Sequence, residues 1–320
     1  MISKPREPGN ASTAPLAARL LRYQAERFPL AGFVPLITAF TFSSAAYSRV
    51  ARGAEGFIPW SRFAVGAFTA LAFFFMLRVL DEHKDRDVDR RYRPELPVPR
   101  GLVSLGELRG LGAAMIAAVI ALNLMVAPVM IVPIALVAAW AALMTKEFFV
   151  RDWLRDHPAA YLLTHMAIMP LIDGYTTGLD WLVEGHEAPP GLVLFLVVTF
   201  LNGIVIEIGR KLRAPMDERQ GIDTYTSAWG ARVAALVWLL ALLAAAVVGW
   251  MALRHVGGTT LVFPLAIAAV GCAAPAAAFI VRPGRLAARM SELASQLWPL
   301  ATYALLGALP YVQRMRPAGS

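Results

Sequence analysis

The chain has 320 residues, 58% of them hydrophobic and only 16% charged, with a mean hydropathy of +0.57. Soluble domains run at roughly 45–50% apolar and 25% charged, so this composition excludes a soluble enzyme with one anchor and points to a polytopic membrane protein. The formal charge of +8 is read as membrane topology rather than nucleic-acid binding. The single cysteine, Cys272, allows neither an intramolecular disulfide nor a thiolate metal cluster.

Residues 1–27 are polar, basic and rich in Pro and Ala, without the apolar core and cleavage site of a secretory signal. They read as a partly disordered tail that ends in an amphipathic approach, LAARLLRYQAERF. A membrane-crossing helix needs about 20 mostly apolar residues. Between 28 and 312, nine segments meet that test, at 28–48, 62–81, 106–127, 128–146, 159–180, 191–210, 231–252, 259–281 and 291–312. A tight turn at Ala127-Pro128 separates the third from the fourth. Residues 313–320 form a short tail. With the N-terminus inside, 23 of the 30 Lys and Arg fall on the cytoplasmic side. Arg49, Arg52, Arg62, Arg254, Arg314 and Arg316 fall outside, and Arg78 lies within the second span. The expectation is an all-α protein of nine transmembrane helices around a central cavity in a cell (inner) membrane. Cytoplasmic loops at 82–105 and 211–230 would then face each other over that cavity.

The stretch Leu80 to Ser104 is the most informative. Taken as a helix to about Asp89, it advances roughly 100° per residue. Asp81, Asp85 and Asp89 then fall within about 80° of arc, with Glu82 beside them. Like charges at i,i+4 destabilise a helix, so the stripe needs a partner, and Mg2+ typically bridges a few carboxylates to substrate phosphates. Against this stands the plainer reading: Lys84, Arg86, Arg90, Arg91, Arg93 and Arg100 make the stretch neutral overall, as in a solvated loop. A second polar cluster follows the sixth span. Glu207, Arg210 and Lys211 share a helix face by i,i+3,i+4 spacing. Pro215 ends or kinks that helix, and Asp217, Glu218 and Asp223 follow. A carboxylate within a span marks a functional candidate, or else an acid neutralised locally by its own Arg and Lys.

The order of these features resembles the UbiA superfamily of intramembrane prenyltransferases. Its first signature, Asn-Asp-x-x-Asp-x-x-x-Asp followed by Arg-Pro-x-Pro-x-Gly, is matched by Asp81-Glu82-x-x-Asp85-x-x-x-Asp89. Arg93-Pro94 and Pro97-Val98-Pro99-Arg100-Gly101 follow it. The tail of the second signature is matched by Gly221-Ile222-Asp223-Thr224 and Gly230, which aligns its last acid with Asp217. Its two earlier acids fall on Arg210 and Arg213, a departure from the family. The resemblance implies an Mg2+-dependent transfer of an isoprenyl group from its diphosphate to a lipophilic acceptor, aromatic or quinone-like. It assigns metal binding to Asp81, Glu82, Asp85 and Asp89, with Asp81, Asp85 and Asp89 catalytic, and a second metal to Glu207 and Asp217. Lys146, Arg93, Arg210, Lys211 and Arg213 become candidates for the diphosphate. Lys146 taken alone is also an interfacial lysine.

Phosphoribosyl transfer to a prenyl phosphate and cyclisation of a prenyl chain remain open within the same fold. A non-catalytic transporter or scaffold is the reading from another class, and the lack of duplicated, Gly/Pro-broken halves disfavours transport. Asp173-Gly174 is not followed by the pattern of CDP-alcohol phosphotransferases, which excludes that class. Asp173 and His165, in the fifth span, read as residues hydrogen-bonded within the bundle, with an acceptor-binding role for Asp173 as the alternative.

Overall fold

The computed structural model describes residues 14–219, 221 and 223–315. Residues 1–13 and 316–320, the outer parts of the tails expected at 1–27 and 313–320, lie outside the described residues, as does the signature residue Ile222. The chain is helical in the order α1 (Leu16–Arg27), α2 (Leu30–Ala51), α3 (Trp60–Lys84), α4 (Arg86–Tyr92), α5 (Leu105–Val126), α6 (Ile131–Thr145), α7 (Arg151–Asp156) and α8 (Pro158–Met166). It continues with α9 (Ile168–Gly178), α10 (Leu192–Arg210), α11 (Tyr225–Trp229), α12 (Ala231–Leu253), α13 (Val262–Val281), α14 (Arg285–Tyr303) and α15 (Leu309–Met315). The amphipathic approach is α1.

Helix boundaries follow local chemistry. The Ser104 hydroxyl accepts from the Glu107 N–H at 3.1 Å while Glu107 accepts from the Ser104 N–H at 2.8 Å, a capping box that starts α5. The expected turn at Ala127-Pro128 is present, with a single 3-10 turn leading into α6. Among the described residues, seven helices are long and apolar enough to cross a membrane. The other two expected spans are helical but differ in build. The fifth is divided at Ala167 into α8 and α9, each too short to cross alone. The ninth begins with the charged residues of α14 and passes through a π-helical turn at Ala304–Ala308 before α15.

Four apolar clusters fill the bundle, and two of them set its layout. The larger core gathers side chains of α10, α12, α13 and α14 around Trp238 and Trp298. Trp238 Nε1–H donates to the Val205 carbonyl and the Ser295 hydroxyl, each at 2.9 Å, so the indole is satisfied without water. The smaller core joins α3, α5, α6 and α9, where Asn123 donates to Thr69 at 2.8 Å and accepts from Tyr175 at 2.9 Å. Helix α2 contributes to both, and Ser44 of α2 donates to Asp173 of α9 at 2.9 Å. Tyr303 of α14 also donates to Asp173, at 2.5 Å, so this buried acid is held from two other helices.

The end of the bundle away from α4 and α11 is closed by charge. Arg49, Arg52 and Arg62 converge on the fully buried Asp180 and on Glu184, with N–O distances of 2.7–3.3 Å. These arginines sat against the charge rule in the sequence. Their place is explained by two carboxylates supplied more than a hundred residues later.

Candidate functional site

Asp85 sits at the junction of α3 and α4 with φ −91° and ψ 8°. The i,i+4 backbone ladder continues through it, from the Asp85 N–H to Asp81 O and from the Asp89 N–H to Asp85 O, both at 2.8 Å. The helix of the first acidic stretch therefore extends to Tyr92 rather than stopping near Asp89. Asp81 is half exposed, 3.8 Å from Arg78, and lies within electrostatic range of Asp85, Lys84 and Arg210. The helices carrying the two polar clusters thus present charge to each other.

Between them stands α8. Lys84 Nζ lies 3.0 Å from the Tyr161 hydroxyl, 3.0 Å from Glu147 and 3.4 Å from His165 Nε2. His165 Nδ1–H donates to the Tyr161 carbonyl at 2.9 Å, which leaves Nε2 to accept from the lysine. Lys84 also stands 4.7 Å from the Tyr161 ring centre, and Lys211 stands 5.8 Å from that ring and 5.5 Å from that of Tyr225. Two ammonium groups, one from each cluster, flank one aromatic ring. Glu147 reaches Lys84 from a turn in which Glu147, Phe148 and Phe149 all have positive φ, 47°, 53° and 61°. Left-handed non-glycine residues cost of order 1–3 kcal/mol each and cluster at functional sites.

The loops above also meet. Gly221 has φ +79°, and a Cβ there would lie 2.3 Å from Cζ of Tyr92. Only glycine lets the second loop close on the ring at the end of α4.

Several predicted residues lie elsewhere. Glu82 turns away from Asp81 and Asp85 and pairs with Arg27 of α1 at 2.6 Å, only 2% exposed, and Asp89 lies on that same side, so the open helix face carries two carboxylates rather than four. Asp89 is buried beside Arg93 at 3.4 Å, close to Glu82 and Arg27. Lys146 is exposed and makes no ion pair among the described residues; its neighbour Glu147 is the group turned inward. Glu207 is taken by Arg210 at 2.5 Å and Lys211 at 2.9 Å. Asp217 is held by Arg285 of α14 at 2.9 Å, and Arg213 lies 3.6 Å from Glu292 of α14. Glu207 and Asp217 are thus neutralised by different partners and do not form one site.

No three carboxylate, imidazole or thiolate groups converge as a metal cage among the described residues. An Mg2+ ion that keeps waters and substrate phosphates needs only one or two carboxylates, and Asp81 and Asp85, one turn apart, fit that donor set. The second cluster, with a cation beside every acid named for it, does not.

A family model described as the UbiA prenyltransferase family matches residues 38–309. The chain belongs to that family. Two of the solved structures that share the fold illustrate it. One, titled as giving structural and mechanistic insights into digeranylgeranylglyceryl phosphate synthase in membranes, is 12% identical, with a TM-score of 0.65 over 92% of this chain and 99% of that one. The other, the apo structure of a UbiA homolog from Aeropyrum pernix K1, is 14% identical, with a TM-score of 0.64 over 87% of this chain and 98% of that one. No curated protein matches the sequence. In this UbiA-family chain, Arg210 lies within electrostatic range of Asp81. Lys84, Tyr161 and Glu147 escaped the sequence reading. Lys84 was visible within the first signature but was counted there only as neutralising charge. Nothing in the spacing of Tyr161 or Glu147 signals that α8 and the strained turn bring them to it.

Proposed function

We propose that this protein is an intramembrane prenyltransferase that uses Mg2+ to transfer an isoprenyl group from its diphosphate to a lipophilic acceptor. The observation that carries the reading is the facing of Asp81 and Asp85 on α3–α4 with Arg210 and Lys211 on α10, with Lys84 in the cleft between. A polyanionic head fits a cleft with carboxylates on one wall and fixed cations on the other. Mg2+ at Asp81 and Asp85 would neutralise diphosphate charge and improve it as a leaving group. Lys84, Arg210 and Lys211 bind the phosphate oxygens and stabilise the charge that grows on the leaving oxygen. The allylic C–O bond breaks with its electron pair leaving on the diphosphate. The acceptor then bonds to the allylic carbon and releases a proton.

The cations of the second cluster take the part that a second metal would play, which is why Glu207 and Asp217 are not used as ligands in this scheme. An apolar cavity of about 680 Å3 lies between α2 and α14, with Phe40, Phe42, Phe63 and Leu300 in its wall. Its apolar wall suits an isoprenoid chain. Nine spans with the N-terminus and both signature loops in the cytoplasm accord with the distribution of Lys and Arg.

Calorimetric titration of the purified protein with geranylgeranyl diphosphate, with and without Mg2+, tests the reading. Metal-dependent binding is expected, and Asp85→Ala should abolish turnover while leaving the melting temperature unchanged. Full activity in Asp85→Ala, or binding indifferent to metal, would falsify the assignment.

A further inference from the structure

We propose that a second cavity, between α1, α4 and the start of α5, binds a phosphate group, and that a bilayer phospholipid headgroup supplies it. The cavity measures about 810 Å3. One wall is a face of α3–α4 adjoining the catalytic one, with Glu82, Arg86 and Arg90 at i,i+4,i+8 and Asp89 beside them, and the other wall is Glu107 and Arg109 of α5. Asp81 and Asp85 are not part of it.

Each carboxylate in the wall already has an arginine. Arg27 holds Glu82 at 2.6 Å, Arg93 lies 3.4 Å from Asp89, and Arg19 holds Glu107 at 2.5 Å. Arg86, Arg90 and Arg109 are left over. All three are exposed, and none makes an ion pair or hydrogen bond among the described residues. Three like charges drawn from two elements around one concavity raise the local potential and attract an anion. Guanidinium groups match the geometry of phosphate oxygens bidentately.

The rest of the wall points to a lipid. Val98, Pro99, Val103 and Leu105 make it apolar beside the arginines, which suits a glycerol backbone and the first chain carbons. Arg109 sits in the first turns of α5, a helix fit to cross a membrane, and α1 exposes Leu16 and Leu21 nearby. The cavity therefore lies at the level of headgroups, where basic pockets bind anionic lipid. This site is independent of the proposed prenyl transfer.

The test uses the full-length protein in neutral detergent with phosphatidylglycerol, phosphatidylcholine or inorganic phosphate. Melting temperature and lipid retained in native mass spectrometry are the readouts. Phosphatidylglycerol is expected to raise the melting temperature and remain bound one to one, with phosphatidylcholine retained far less. Arg86→Gln with Arg109→Gln should weaken retention at least about tenfold, since each charged hydrogen bond is worth that much, and should remove the thermal shift. Arg86→Lys with Arg109→Lys, which keeps charge but not the planar fork, should fall between and serves if the glutamine variant does not fold. Equal retention in wild type and both variants would overturn the site. A thermal shift from inorganic phosphate as large as that from phosphatidylglycerol, and lost in the variant, would overturn the lipid assignment.

Discussion

Lys84 shows how much one side chain can depend on distant chain. It belongs to the first acidic stretch, but its partners Glu147, Tyr161 and His165 come from 63 or more residues downstream. In the proposed reaction it exchanges the Glu147 carboxylate for a phosphate oxygen. Lys84→Met should therefore weaken isoprenyl diphosphate binding about tenfold, read by calorimetric titration, and Lys84→Arg should recover part of the loss. Glu82 makes the opposite point. It carries the right chemistry at the right spacing, and Arg27, far upstream, removes it from the aspartate face. Helical spacing fixes direction from the axis to within a residue's 100° step, and a neighbour that lies off that step decides the rest.

Among the elements, α1 is bound to the first signature by a set of surface charges. Glu26 accepts from Arg100 at 2.6 Å across the loop that follows α4. Arg100 beside it holds the Glu26 carboxyl below its usual value, against a small opposing effect of burial, with Arg22 adding to the lowering. A depressed carboxyl contributes stability above its unfolded value, about 4.3 for Glu, and loses it as the pH falls through the folded one. Glu26→Gln should thus cost less than about 1 kcal/mol at pH 7, as exposed pairs do, and progressively less as the pH falls through the acidic range, which thermal melts at successive pH values would show. The π turn before α15 is a tighter constraint. A Cβ on Gly307 would lie 1.9 Å from the Ser43 carbonyl oxygen of α2, so the two backbones touch. Gly307→Ala should lower stability by about 1–3 kcal/mol through overpacking, and an unchanged melting curve would contradict the close approach.

For the whole molecule, charge divides the two ends of the bundle. One end gathers the strained turn, the signature helices and most of the basic residues. The other is closed by Arg49, Arg52 and Arg62 around Asp180 and Glu184. Removing one partner from such a buried network leaves uncompensated charge, so this end is a rigid lock with no part in the proposed chemistry. The proposed orientation can be read from single cysteines placed in a Cys272→Ser background. Glu95→Cys should react with a membrane-impermeant maleimide only from the cytoplasmic side, and Gly185→Cys only from the outside. The reverse pattern would invert the topology.

Composition and the length of apolar runs were enough to read membrane residence and the helical class, because hydrocarbon admits only helices or closed barrels and sets their length, and the two signature stretches carried the family. The carboxylate stripe was legible for the same reason, since helical period is a property of the local chain. Which acids remain available was not. Glu82 and Asp217 are each paired with a guanidinium from a distant helix, whereas the pairing of Glu207 with Arg210 and Lys211 was one of the two readings its helical spacing offered. Two of these pairings join elements far apart in sequence. The division of the fifth span, the burial of Asp180 among arginines and the meeting of Lys84 with Tyr161 likewise arise from packing between helices. A single sequence carries no period that reports such contacts, because they depend on how whole helices are placed against one another.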